Sequence, residues 1–257
     1  MNARELLIAS FKAAVEGADP LRILPTHLPA LPKGRTIVVG AGKAAAAMAV
    51  AVEQHWPADA PLEGLVITRY QHGLPTGRIK VVEAGHPVPD ESGERAALQI
   101  MQLTREAGPD DLLLMLVSGG GSSLLALPAE GVTGNDLKAT TRELLRCGAP
   151  IQDMNTVRKH LSAIQGGRLA ALCDAPVIAL IVSDVTGDDP THIASGPCAP
   201  DPSTYGDALD VFNRWRVKAP PRILEFLERG ARGEIAETPK HGDPIFSRVE
   251  NRVIATA

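Results

Sequence analysis

The fold is decided by one stretch of this sequence, Leu112-Leu-Leu-Met-Leu-Val117 followed directly by Ser118-Gly-Gly-Gly-Ser-Ser123. A strand with one solvent-facing side alternates apolar and polar residues, so the unbroken apolar run predicts a strand that is buried on both faces. The glycines and hydroxyls behind it predict a turn whose backbone amides form a nest for a phosphate or a carboxylate. The alternative is a plain turn between a strand and a helix.

Similar apolar runs recur along the chain and predict five more strands: Thr36–Val39, Leu65–Thr68, Ile79–Val82, Val177–Val182 and Arg252–Thr256. Between them the apolar residues have helical spacing. Strands that alternate with helices form parallel sheets through right-handed crossovers. We therefore predict an α/β fold, with a doubly wound, mostly parallel sheet and helices on both of its faces.

Three segments carry clear helical patterns: residues 3–16, 133–147 and 155–173. In the first, Leu7, Phe11 and Val15 form one stripe, as in a helix that packs through that face. In the second, Thr133 and Asp136 resemble an N-cap pair that opens the helix. The third contains adjacent glycines at 166–167, which predict close approach by another backbone or by a ligand.

Composition limits the functional classes. The 257 residues carry a net charge of −4 and a pI near 6.0, which gives no support for binding to nucleic acid or to an anionic membrane surface. The longest apolar runs are too short to span a bilayer, and the start shows no secretory signal. The three cysteines lie far apart and fit neither a disulfide framework nor a zinc site. We therefore expect a cytoplasmic protein without a membrane or nucleic-acid partner.

The loops behind the strands are informative, because open α/β sheets bind ligands beyond the carboxyl ends of their strands. The first of these loops, Gly40-Ala-Gly-Lys-Ala-Ala45, permits a tight turn into a helix whose N-terminal amides favour an anion. It matches the relaxed dinucleotide fingerprint G-x-G-x-x-A, but the second strand ends at Thr68-Arg69, without the acidic residue that the fingerprint expects. We interpret the loop as an anion site with Lys43 as its charge. A helix start packed against a strand is the alternative.

The loop after the fifth strand, Ser183-Asp-Val-Thr-Gly-Asp-Asp189, is strongly acidic. Its carboxylates, Asp184, Asp188 and Asp189, are suited to Mg²⁺, which needs only one or two carboxylates plus phosphate oxygens. One of them could instead accept the proton of a substrate hydroxyl. An Asx-type turn without a functional role is the alternative.

The third helical segment begins with Asn155-Thr-Val-Arg-Lys-His160 and presents Arg158 and Lys159 on its polar face. These cations can hold an anionic ligand, or they can form an ordinary solvated face. A rigid turn, Gly85-His-Pro-Val-Pro-Asp90, follows the third strand. We expect its aspartate to cap the next helix and His86 to be structural rather than catalytic.

Six segments in chain order resemble the glycerate 2-kinases whose C-terminal domain is called MOFRL, a family formerly described as hydroxypyruvate reductases. The segments are Gly40-Ala-Gly-Lys-Ala-Ala45, Gly85-His-Pro-Val-Pro-Asp90, Ser118-Gly-Gly-Gly-Ser-Ser123, Asn155-Thr-Val-Arg-Lys-His-Leu-Ser162, Ser183-Asp-Val185 and Ala194-Ser-Gly-Pro197. The resemblance covers nearly the whole chain and implies a Rossmann-like N-terminal domain. It assigns residues 1–245 to that domain and residues 246–257 to the start of a MOFRL-type domain that is otherwise missing.

The resemblance implies ATP-dependent phosphorylation of D-glycerate at its 2-hydroxyl, giving 2-phosphoglycerate, with Mg²⁺ as the metal. It also implies a catalytic arginine from a C-terminal domain that closes over the cleft, so we expect the chain by itself to be weakly active or inactive. Lys43, Asp184 and Asp189 are the expected catalytic residues, and Asp188 joins the two aspartates as an expected ligand of Mg²⁺. The residues expected to bind nucleotide or substrate are Gly40, Gly42, Ser118, Gly119, Gly120, Gly121, Ser122, Ser123, Asn155, Arg158 and Lys159.

Two alternatives stay open. An NAD(P)H-dependent hydroxypyruvate reductase is favoured by the relaxed fingerprint, and it is opposed by the missing carboxylate and by the second glycine-rich loop. A non-catalytic module that binds a sugar acid or a phosphate would make the acidic loop merely structural. The sequence does not distinguish the loop for ATP from the loop for glycerate, and it leaves a homodimer open.

Overall fold

Six strands form one parallel sheet in the computed structural model, which describes residues 2–256. They are β1 (Thr36–Ala41), β2 (Leu62–Arg69), β3 (Ile79–Ala84), β4 (Leu112–Ser118), β5 (Val177–Val182) and β6 (Val249–Ala255). Their order in the sheet is β3-β2-β1-β4-β5-β6, and every neighbouring pair is parallel. The six predicted strands and the α/β fold class are therefore confirmed. The order reverses between β1 and β4, where sheets of this kind form their ligand cleft.

The helices within residues 2–256 are α1 (Ala3–Gly17), α2 (Pro20–Ile23), α3 (Ala45–His55), α4 (Glu91–Arg105), α5 (Gly121–Leu124), α6 (Gly134–Arg146), α7 (Ile151–His160), α8 (Tyr205–Trp215) and α9 (Pro221–Ala231). Every residue of β1 and β4 is buried, so the centre of the sheet needs a cover on both faces. Met48 and Val52 of α3 pack on one face, and Ala97 and Ile100 of α4 pack on the other. None of the helices in this part of the chain is long and apolar enough to cross a membrane.

A second group of helices has its own apolar core. It consists of α6, α7, α8 and α9, and large side chains such as Phe212, Phe226 and Leu227 fill its interior. Through α7 this group also borders the sheet's ligand-binding edge. The helical group therefore supplies polar side chains to a site whose other walls are loops of the sheet.

The first two predicted helix patterns are confirmed, with one surprise. α6 begins after Thr133, whose hydroxyl accepts the amide of Asp136, and the carboxylate of Asp136 accepts the amide of Thr133 in return. α1 covers the predicted range, but its apolar stripe is not packed: Leu7 and Phe11 are each 71% exposed. The helical period fixes which residues share a face, and it does not fix what covers that face.

The helix predicted over residues 155–173 is wrong at both ends. α7 starts four residues earlier and ends at His160. The paired glycines at 166–167 adopt left-handed conformations, with φ of 61° and 80°, so the chain cannot continue as a helix there. Their amides donate to the carbonyls of Ser195 and Gly196. The predicted close approach of another backbone to these glycines is confirmed.

β6 is the edge strand of the same sheet and pairs with β5 along its length. The domain boundary predicted after residue 245 falls just before this strand. Residues 249–255 therefore extend the sheet of the predicted N-terminal domain. A further domain after them stays a prediction.

Candidate active site

A cleft of about 400 Å³ opens where the loops after β3, β4 and β5 meet one face of α7. It lies at the carboxyl edge of the sheet, as expected for an open α/β fold. The predicted site residues that line it are Gly120, Ser122, Ser123, Asn155, Arg158 and Asp184. Four segments that are distant in sequence therefore converge on one site.

The loop after β1 supports the loop after β4. The amide of Lys43 donates to the carbonyl of Gly119 at 2.8 Å, and the amide of Ala44 donates to Ser118 Oγ at 3.0 Å. A Cβ on Gly42 would come within 2.5 Å of the Ser118 carbonyl oxygen, so only glycine permits this contact. These two amides already have protein partners. What the loop still offers an anion is the exposed side chain of Lys43.

The three glycines of the loop after β4 let three other segments approach it. A Cβ added to each would collide with a different neighbour: Gly119 with Asp184, Gly120 with His86, and Gly121 with Ala194. Gly120 also has a φ of 86°, which favours glycine. The glycines therefore bring the loops after β3, β4 and β5 together, which a plain connecting turn would not need to do.

Arg158 is a cation in this cleft that lacks a counter-charge from the described part of the chain. It is half-buried, and burial lowers the pKa of its guanidinium. Its Nη1 donates to Asn155 Oδ1 over a long 3.4 Å, and no carboxylate within residues 2–256 forms an ion pair with it. A desolvated charge without a counter-charge is costly. This position therefore suits an anionic group of a ligand.

His86 lies among charges of both signs. Burial is the largest influence and lowers the pKa of its imidazole, Lys43 and Arg69 lower it further, and Asp184 opposes them. Because an ordinary histidine titrates near pH 6.5, this ring is neutral at pH 7. A neutral imidazole can accept a proton, so the geometry allows a chemical role beside the structural role predicted from sequence.

The acidic loop after β5 does not form the predicted group of three carboxylates. Asp184 lines the cleft, whereas Asp189 accepts the amide of Thr191 at 2.9 Å. Burial alone would raise the pKa of Asp189, but this hydrogen bond and nearby cations lower it. In the described part of the chain no three His, Cys, Asp or Glu side chains are arranged to hold a metal ion. Asp184 alone, together with ligand oxygens, still fits Mg²⁺, and Asp189 forms the Asx-type turn that was the alternative.

Lys159 follows Arg158 in sequence but does not reach the cleft. Its ammonium group lies 3.1 Å from Asp201 Oδ1, and 2% of its side chain is exposed. The other predicted site residues that do not line the cleft are Gly40, Gly42, Lys43, Ser118, Gly119, Gly121, Asp188 and Asp189. Lys43 nevertheless lies beside Gly120, which does.

Eight residues that line the cleft were absent from the predicted site, and three polar ones show the reasons: Gln152, Thr186 and His192. Thr186 lies inside the acidic stretch, where only the carboxylates carried a signal for metal binding. Gln152 precedes the predicted start of α7, so the misplaced helix start excluded it. His192 belongs to a segment that composition alone did not mark.

Comparison with known families decides where this chain belongs. It matches the family described as a domain of unknown function, DUF4147, over residues 6–228. The chain belongs to the DUF4147 family. The match includes β1 to β5 and every predicted site residue.

Individual relatives are similar along nearly the whole of this DUF4147 chain. A protein of Agrobacterium vitis, provisionally named hydroxypyruvate reductase, is 50% identical over 244 residues, which are 95% of this chain and 54% of that protein. The glycerate 2-kinase of Pyrococcus horikoshii is 39% identical over 271 residues, which cover 100% of this chain and 60% of that protein. The crystal structure of a glycerate kinase from Thermotoga maritima has a TM-score of 0.84 at 38% identity and covers 98% of this chain and 58% of its own. The chain thus spans somewhat more than half the length of these relatives.

Proposed function

We propose that this DUF4147 chain forms the substrate-binding part of a glycerate 2-kinase, which transfers the γ-phosphoryl group of ATP to the 2-hydroxyl of D-glycerate. The observation that carries the proposal is a half-buried Arg158 beside the glycine-rich loop, with no carboxylate partner among residues 2–256. ATP and glycerate are both anions, and catalysis of phosphoryl transfer consists mainly of positioning and charge neutralisation. Similarity to the glycerate kinases of Pyrococcus and Thermotoga supports the same substrate.

The residues of the cleft have separate roles in this reaction. The glycerate 2-oxygen forms a bond to the γ-phosphorus while the bond from that phosphorus to the bridging oxygen of ADP breaks. Lys43 neutralises charge on the transferred group, and the neutral ring of His86 accepts the hydroxyl proton. Asp184 would hold Mg²⁺ together with phosphate oxygens, and the bound metal supplies positive charge to the phosphates. The proposal gives no role to Asp188 or Asp189.

The geometry offers less support for a reductase. The amides of Lys43 and Ala44, just before α3, already donate to the loop after β4, so they are not free for the pyrophosphate of a dinucleotide. β2 ends at Thr68-Arg69, where NAD enzymes carry the carboxylate that binds the ribose. An arginine at that place suits the 2′-phosphate of NADP. NADPH therefore belongs in the same set of experiments.

The test combines ligand binding with an ADP-release assay. Binding of D-glycerate and Mg-ATP is measured on the 257-residue chain by itself. ADP release is measured on this chain and on a mixture with the part of the Pyrococcus relative that lies beyond the match. We expect binding by the chain alone, ADP release in the mixture, and a loss of roughly 10²-fold or more in the rate for Lys43→Ala.

Lys33→Ala is the matched control, because Lys33 is an exposed lysine that precedes β1 at the opposite edge of the sheet. This variant should release ADP at the parent rate. Absence of binding of both ligands would contradict the proposal. Oxidation of NADH or NADPH by hydroxypyruvate without ADP release would replace it with the reductase.

A further inference from the structure

Three consecutive residues beside the cleft, Ala194, Ser195 and Gly196, adopt left-handed backbone conformations, with φ of 51°, 58° and 61°. All three are buried. This conformation is costly for residues that carry a Cβ, and such strain is concentrated at functional sites. The segment is one of the six that the sequence singled out, and the proposed reaction gives it no role.

A second turn holds the strained one in place. The amide of Gly166 donates to the carbonyl of Ser195 at 3.0 Å, and the amide of Gly167 donates to the carbonyl of Gly196 at 2.7 Å. Both donors also have positive φ, so two left-handed turns face each other through backbone hydrogen bonds. The strain is therefore fixed by the fold and is not a property of a loose loop.

The side chain of Ser195 explains why a residue other than glycine occupies this position. Glycine would adopt the conformation without strain, as Gly196 does. The Ser195 hydroxyl lies 2.9 Å from Ser122 Oγ and 3.2 Å from Asn155 Oδ1, and the residue is fully buried. Both partners line the cleft. The serine thus links two residues of the cleft from behind.

The number of available protons limits these hydrogen bonds to two arrangements. Asn155 Nδ2 donates to the carbonyl of His192 at 3.3 Å, so its Oδ1 faces Ser195 and Arg158 and can only accept. Ser195 has one hydroxyl proton, which goes either to Asn155 or to Ser122. When it goes to Ser122 Oγ, the proton of Ser122 is free to donate into the cleft, which Arg158 also lines.

We propose that Ser195 is a positioning residue for an oxyanion subsite formed by Ser122, Asn155 and Arg158. Its buried hydroxyl donates to Ser122 Oγ, and the Ser122 hydroxyl then donates to an oxyanion whose charge Arg158 balances. Asn155 supports the guanidinium through its Oδ1. The subsite takes a carboxylate or phosphate oxygen, and the identification of its source as glycerate or ATP rests on the proposed function.

The variant Ser195→Gly tests this, because it removes the hydroxyl and the left-handed strain together. Arg216→Gly is the matched control: Arg216 is exposed at the end of α8, has a φ of 50° and does not line the cleft. Both variants should keep their thermal midpoints within about 3 °C of the parent. Only Ser195→Gly should weaken binding to D-glycerate or to ATP, by roughly tenfold in titration calorimetry of the full 257-residue chain with each ligand separately.

A double-mutant cycle separates positioning from a general structural effect. If Ser195 acts through Ser122, then Ser195→Gly weakens binding little further in a Ser122→Ala background. An equal loss in both backgrounds, or unchanged affinity for both ligands in Ser195→Gly, overturns the proposal. A parent chain that binds neither ligand overturns the proposed function and this inference together. Binding by the parent that Ser195→Gly leaves unchanged overturns this inference alone.

Discussion

Arg158 and Lys159 are consecutive residues of α7, but their charges have opposite surroundings. Lys159 is 2% exposed, and its ammonium group pairs with Asp201 at 3.1 Å. Arg158 is half-buried beside the cleft, and no carboxylate in the described residues pairs with it. A buried charge with a protein partner contributes to the fold, whereas a desolvated charge without one is available to a ligand. One face of α7 therefore stabilises the fold, and the other is available to bind a ligand.

Charged and polar side chains behind α7 form a largely buried network. Asp201 also accepts hydrogen bonds from the amide and the hydroxyl of Ser203, and His160 Nε2 lies 3.0 Å from Glu237 Oε1. Burial would raise the pKa of Asp201, but Lys159 and Ser203 hold it below its usual range. The network joins α7 to two segments that are distant in sequence. It anchors the face of α7 that is turned away from the cleft.

The largest effect is expected when the paired charge is removed. Lys159→Met keeps most of the side-chain volume but leaves the Asp201 carboxylate buried without its cation. Breaking a buried ion pair in this way destabilises proteins by about 3–5 kcal/mol. We expect that loss in the free energy of unfolding, measured by urea denaturation, while molecules that remain folded bind D-glycerate with the parent affinity.

Arg214→Met is the matched control, because Arg214 also pairs with a carboxylate of α7, that of Asp153, at 3.4 Å, but its side chain is 63% exposed. Exposed pairs contribute little, so its loss should stay below about 1 kcal/mol. If Lys159→Met left stability intact and abolished ligand binding, the comparison would fail. The role predicted for Lys159 from sequence would then be restored.

The reverse pattern is expected for the unpaired charge. Arg158→Met removes a desolvated cation that no carboxylate of residues 2–256 balances, so the free energy of unfolding should be unchanged or higher. Affinity for D-glycerate or ATP should fall by roughly 10²-fold, the scale of about 3 kcal/mol for a hydrogen-bonded charge. Calorimetric titration and urea denaturation of the same preparation measure both quantities.

Arg158→Lys refines this test, because it keeps the charge and removes the planar, forked donor group. An intermediate loss of affinity, roughly tenfold, is expected if the guanidinium makes more than one hydrogen bond to the ligand. A destabilised Arg158→Met protein with normal affinity would show that both faces of α7 are structural.

The fold was predictable from sequence where burial alone determines the pattern. β1, β4 and β5 are apolar at consecutive positions because helices cover both faces of the sheet, and their runs therefore identified them. The end of α7 was not predictable in the same way. The glycines at 166–167 lie beyond its end and cannot extend the helix, because carbonyls about 30 residues later accept their amides, and such a partner has no local signal. The exposed apolar stripe of α1 is a second case, because the helical period predicted the stripe but not whether anything packs against it.

The candidate site was likewise predictable only where local sequence carried the signal. The rule that ligands bind behind the strands located the loops at Ser118–Ser123 and at Asp184, and both contribute to the cleft. Sequence could not separate Arg158 from Lys159, because the carboxylate that pairs with Lys159 lies 42 residues away. It also treated all three aspartates after β5 as ligands of Mg²⁺, although Asp189 accepts the amide of Thr191. Local composition identifies charged groups, and tertiary contacts decide which of them remain free.

The smallest effect is expected from Glu237, whose lowered pKa makes the stability of the network behind α7 depend on pH. Burial disfavours its ionised form, but hydrogen bonds from His160, Thr238 and Tyr205 lower its pKa to about 2, from 4.5 in the absence of these contacts. The folded state therefore releases this proton more readily than the unfolded state. The stabilisation is complete above about pH 4.5 and is lost as the pH falls through about 2. Because the side chain is 35% exposed, solvent screening reduces the effect to about 1 kcal/mol.

Urea denaturation of the parent and of Glu237→Gln, at about pH 6 and about pH 2.5, isolates this contribution. The difference in unfolding free energy between the two proteins should shrink by most of this contribution of about 1 kcal/mol at the lower pH, because the carboxyl of the unfolded parent is then protonated whereas that of the folded parent is only partly protonated. Glutamine keeps the shape and one acceptor oxygen, so a difference that did not change with pH would mean that Glu237 acts through hydrogen-bond geometry and not through charge. The contact between His160 and Glu237 would then be an ordinary polar contact. Within the described residues, the only charge pair behind α7 to contrast with the unpaired Arg158 would be that of Lys159 and Asp201.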